Sequence, residues 1–87
     1  MKHIALFSQT GSEIGRLIDF GIQPDLVFYD QTNPDIIDPS IDTESYAFRI
    51  PKKKVKDVKF LRDCFGDPKK CYITLHGWLH ILPKEIC

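Results

Sequence analysis

The chain has 87 residues, room for one small domain, and at this size only a thin margin of stability. An apolar fraction of 43% and a charged fraction of 28% are those of a globular protein and exclude a disordered one. Twelve basic residues balance twelve acidic ones, which argues against a nucleic-acid binder, and no apolar run reaches the length of a membrane span or a signal-peptide core.

The first predicted element is a buried strand over Lys2 to Phe7, continuously apolar apart from His3. Ile14, Leu17, Ile18 and Gly21 then fall on one helical face. Thr10 and Glu13 have capping-box spacing, so the helix is expected to start at Thr10, and Gly21 ends it. Pro24 opens and Asp30 closes a second strand. Residues 31–45 carry two prolines and several Asp, Asn and Ser, which predicts an irregular excursion with one helical turn. Tyr46 to Ile50 is a short third strand, ended by Pro51. Lys53 to Phe65 reads as one helix, with Val55, Val58, Leu61 and Phe65 on its apolar side and Gly66 at its end. Cys71 to Leu75 is a fourth strand, and Pro83 to Ile86 resembles the opening turn of another helix.

This alternation predicts the α/β class: a partial Rossmann-like parallel sheet of about four strands in the order 3-2-1-4, with two main helices. The fourth strand then lies at an edge. It is apolar and uncharged, which suits a strand that another element covers. Charge divides along the chain, with three Lys/Arg against eight Asp/Glu in residues 1–51 and nine against four in residues 52–87. The run Lys52 to Arg62 reads as a solvated helix face, with a phosphate-binding patch as the alternative. Cys64, Cys71 and Cys87 have no paired spacing and suggest reduced thiols in a cytoplasmic protein.

Two motifs can carry chemistry. Thr10, Gly11, Ser12 and Glu13 lie between the first strand and its helix, where free backbone N–H groups gather; a capped helix start with no ligand is the plain alternative. Glu13 already supplies a negative charge there and disfavours an anionic ligand. The second motif, "HGWLHILP", follows the fourth strand, at the end of the sheet where α/β proteins bind ligands. Gly77 permits a sharp turn and Trp78 a flat apolar surface, although Trp78, Leu79, Ile81 and Leu82 can equally be core. His76 and His80 are four apart but bracket a glycine, and no third ligand is evident, so no metal site is assigned. This segment holds no nucleophile–base–acid set, and no catalytic residue is assigned.

In this order the two motifs resemble the N-terminal half of the folate-dependent formyltransferases, which act on glycinamide ribonucleotide, methionyl-tRNA or amino sugars. Ser8, Thr10, Gly11, Ser12 and Ile14 are similar to the family's substrate-binding turn, and His76 to Pro83 to its pterin-lining segment. The resemblance covers nearly the whole chain. It implies transfer of a formyl group from 10-formyltetrahydrofolate to a small-molecule amine. Thr10, Gly11, Ser12 and Glu13 would then face the amine, and Gly77, Trp78, Leu79, His80, Ile81 and Leu82 the folate. Gln9, Glu13, His76 and His80 depart from the family pattern, which makes a phosphorylated glycinamide substrate doubtful and leaves an amino sugar or another amine open. The family's reactive Asn-x-His motif and its later Asp lie beyond the matching region. The chain therefore reads as a single domain, residues 1–87, cut before the catalytic strand and inactive by itself. The alternative is a non-catalytic binding or regulatory module that forms a homodimer through Cys71 to Leu75.

Overall fold

The computed structural model describes residues 1–86. Its four strands are β1 (Lys2–Phe7), β2 (Leu26–Tyr29), β3 (Ala47–Arg49) and β4 (Cys71–Leu75). They form one sheet in the order β3-β2-β1-β4, and every pairing is parallel. Helix α1 (Ser12–Asp19) follows β1, and helix α2 (Val58–Phe65) follows β3. This is a small Rossmann-like α/β fold with the predicted strand order.

A parallel sheet buries both faces, so its central strand should be apolar on both sides. Ile4, Ala5, Leu6 and Phe7 of β1 are all fully buried. Ile4, Leu6 and Phe28 face one way, into a core with Ile50, Val55, Leu61, Phe65 and Trp78. Ala5, Phe7, Val27 and Tyr29 face the other way, against Ile14 of α1 and Ile37 and Ile41 of the loop 31–45. That loop contains the single predicted turn, a 3-10 turn at Pro34–Ile36, and the rest packs as an extra layer beside α1. Gly15 permits the approach, since a Cβ there would stand 2.5 Å from the Asp38 carboxyl carbon.

Two helix boundaries differ from the sequence reading. Helix α1 starts at Ser12, not Thr10, and its N-cap is Gly11 in the left-handed region (φ 72°) with no side-chain cap. The capping box does not form, because the Glu13 carboxylate bonds to the His76 ring instead. Gly21 ends the helix as expected: its N–H bonds to the Ile18 carbonyl and that of Ile22 to the Leu17 carbonyl, a Schellman closure. The predicted helix from Lys53 is split. A 3-10 turn spans Lys52–Lys54, and α2 begins at Val58 under an Asp57 cap that accepts the Phe60 N–H at 3.1 Å. The split hides from periodicity because Val55 still reaches the core. Pro83 to Ile86 forms a single turn, closed by the Ile86 N–H on the Pro83 carbonyl.

Candidate functional site

The carboxyl ends of β1, β2 and β4 meet at one rim of the molecule. The His76 N–H donates to the Leu6 carbonyl and carries the β1–β4 ladder one residue past the strand. Gly77 then turns the chain at φ 73°, a conformation most side chains avoid. The buried Ser8 hydroxyl accepts the Leu79 N–H at 2.9 Å and fastens that turn to the end of β1.

These constraints bring the two sequence motifs together. Gln9, Thr10, Gly11, Ser12, Glu13, His76 and Gly77 line a shallow cleft of about 170 Å³. Its bond of closure is Glu13 Oε1 to His76 Nδ1, 2.6 Å long, between residues 63 apart in sequence. A cleft this size holds a small polar group; drug-sized ligands occupy roughly 300–1,000 Å³.

The second motif divides. Trp78 is only 9% exposed and packs in the α2-side core. Leu82 lies half-buried against the same core. Leu79 and Ile81 point outward and are largely exposed. His80 joins Asp30 at the end of β2, Nε2 to Oδ2 at 2.5 Å, with Trp78 packed edge-on against its ring. The indole N–H of Trp78 and Asp30 Oδ1 are buried without partners. His76 and His80 thus serve separate carboxylates, and among the described residues no three His, Cys, Asp or Glu side chains gather as metal ligands. The second shared interaction of His76 is with Thr74, whose Oγ1 lies 2.7 Å from Nε2.

Sequence reasoning missed His3, Asp30 and Thr74. His3 Nε2 lies 2.8 Å from the same Thr74 hydroxyl, and its ring stacks on Tyr72 at 4.8 Å. Burial lowers the His3 pKa first, the charge of His76 lowers it further, and Asp25 opposes both. The available signal was the alternation of Tyr72, Thr74 and His76 along one face of a strand. Placing His3 beside them required the β1–β4 register, which pairs His3 with Tyr72.

The outer side of β4 is the other distinctive surface. Phe65, Cys71, Ile73, Leu75, Leu82 and Ile86 line an apolar groove of about 410 Å³ beside the edge. Leu75 and Tyr72 are each about half exposed. Cys64 and Cys71 are free thiols packed against this core, and burial, then Asp63, raises the Cys64 pKa. Cys87 lies outside the described residues. The lysines of the basic run stay exposed, as a solvated face requires, and Lys54 pairs with Asp57 at 3.4 Å. No helix among the described residues is long and apolar enough to cross a membrane. Comparison with protein-family models, with curated proteins and with solved structures returns no match.

Proposed function

We propose that this chain is a formyltransferase-like α/β domain whose cleft receives the amine of a folate-dependent formyl transfer. The observation that carries the reading is the convergence of the Thr10–Glu13 turn and the His76–Gly77 turn on one cleft at the carboxyl end of a parallel sheet. That is where open α/β sheets bind ligands. Glu13 gives one carboxylate oxygen to His76, which leaves the other for a substrate ammonium or hydroxyl. Thr10 and Ser12 line the same cleft.

The cleft is lined by Gln9, Thr10, Ser12, Glu13 and His76, and Trp78 faces the core. The exposed Leu79 and Ile81 are the apolar side chains that would hold the ring of 10-formyltetrahydrofolate as an open wall. When bound, that cosubstrate supplies the formyl group. The residues of this chain would bind and orient; the Asn-x-His motif that polarises the formyl carbonyl does not occur in the sequence. Isothermal titration with 10-formyltetrahydrofolate should therefore give saturable binding that Leu79→Asp with Ile81→Asp removes, while formyl transfer to amino sugars by the chain alone stays at background. No binding would overturn the folate reading, and turnover would overturn its inactivity.

The β4 edge favours a second reading, a binding module that pairs with a second copy. An apolar edge with free backbone groups is a template for strand addition. Light scattering at increasing concentration should show a dimer that Ile73→Lys converts to monomer. A wild-type monomer at all concentrations would remove this reading.

A further inference from the structure

On the α1 side of the sheet, four side chains form one hydrogen-bonded line. Glu13 Oε1 meets His76 Nδ1 at 2.6 Å, His76 Nε2 meets Thr74 Oγ1 at 2.7 Å, and Thr74 Oγ1 meets His3 Nε2 at 2.8 Å. The proton positions follow from the carboxylate. An ionised Glu13 only accepts, so Nδ1 of His76 carries its proton and donates. With His76 neutral, Nε2 is then an acceptor, and the Thr74 O–H must point at it. One of the two Thr74 lone pairs takes the N–H of His3, and the other stays free to attack. Every group has one consistent role, and the hydroxyl proton lies on the nitrogen able to remove it.

That is the arrangement of an activated nucleophile: hydroxyl, base within reach, and a third group that orients the base. A half-buried threonine that only needed a partner would need one, or water; this one is held between two imidazoles. We propose that Thr74 is an acyl-accepting nucleophile, with His76 as its general base and Glu13 as the positioning residue, acting on small activated acyl esters. The inference shares Glu13 and His76 with the amine cleft but needs no folate.

The step balances within these groups. Thr74 Oγ1 bonds to the ester carbonyl carbon as its proton passes to His76 Nε2. The imidazolium lies against the Glu13 carboxylate. The tetrahedral adduct collapses, the carbon–alkoxide bond breaks, and the leaving alkoxide takes the proton from His76. Water, deprotonated by His76, then attacks the acyl-threonine, releasing the carboxylic acid and restoring the Thr74 hydroxyl. His3 is the donor nearest the reacting oxygen. Burial, and after it the charge of His76, lowers the His3 pKa, while Asp25 opposes both. Asp25 accepts the backbone N–H of His3 at 2.7 Å, and Tyr72 stacks on its ring.

A fluorophosphonate probe tests this, with the modified residue identified by peptide mass spectrometry. Expected is covalent labelling at Thr74, absent in Thr74→Val and slowed by ~100-fold or more in His76→Asn, the usual range for loss of a general base. Glu13→Gln should slow labelling and Glu13→Asp partly restore it, with both proteins melting near the wild-type temperature. Should Thr74→Val fail to fold, Thr74→Ser decides, because it keeps the hydroxyl and must label at least as fast as wild type. No labelling, labelling at Tyr72 instead, or an equal rate in His76→Asn would overturn the proposal. Folate titration of the same protein reads the other site independently.

Discussion

Two carboxylate–histidine pairs stand at the carboxyl ends of the strands, and burial separates them. In the Asp30–His80 pair both side chains are sheltered, at 16% and 22% exposure. In the Glu13–His76 pair the ring is sheltered at 9% but the carboxylate is 71% exposed. Coulomb attraction grows as water is excluded, and so does the penalty for leaving one member alone. The inner pair therefore acts as a fastening: it ties the 78–82 segment to the end of β2 beside Trp78. The outer pair can stabilise little. Its consequence is orientation, since it fixes one nitrogen of His76 and so aims the other at Thr74.

The largest effect should come from breaking the inner pair. Asp30→Ala leaves a sheltered imidazole without its acceptor and frees the turn that carries Trp78. A loss of about 2–3 kcal/mol is expected, near the lower end for buried pairs because both side chains keep some exposure. For a domain this small that is a large share of its total stability. Urea denaturation measures it, and a loss below about 1 kcal/mol would show that the inner pair is no fastening.

Glu13→Gln sharpens the contrast from the other side. An exposed carboxylate contributes at most about 1 kcal/mol to stability. The same urea experiment should find Glu13→Gln within that bound, although the probe reaction at Thr74 slows. If it costs as much as Asp30→Ala, burial does not separate the two pairs.

The fold was readable in the chain because it rests on local signals: Ile4 to Phe7 of β1 is an unbroken apolar run, Gly21 and Gly66 end helices, and strand and helix alternate. The errors had two sources, a side chain that chose a distant partner and a local cap that breaks no apolar period. Thr10 and Glu13 had the spacing to cap α1, yet Glu13 reaches His76 across 63 residues. The break before α2 depends on Asp57 taking the Phe60 N–H, which apolar periodicity cannot register. The cleft was half readable. Both turns were placed at the same end of the sheet, but whether Trp78 faced ligand or core depended on packing against α2. His3 entered the site only through strand register, a property of two segments and not of either alone.

The smallest effect concerns acid. Burial is the main reason the His3 pKa lies below its ordinary 6.5, with the charge of His76 second and Asp25 opposing. Between 6.5 and that lower folded value, the unfolded chain binds a proton that the folded chain does not. Acid therefore favours unfolding there: the contribution of neutral His3 is complete above about pH 6.5 and is lost as the pH falls through the folded value. The ring is only half-buried, so solvent screening limits the effect to fractions of a kcal/mol. His3→Gln should narrow the difference in urea stability between pH 7.5 and 5.5. The same narrowing should appear in an Asp30→Ala background, because His3 contacts Thr74, Tyr72 and Asp25 and nothing of the inner pair, and separate sites add. Loss of that additivity would mean that the two histidine sites are energetically coupled, and the division between an inner fastening and an outer working pair would fail.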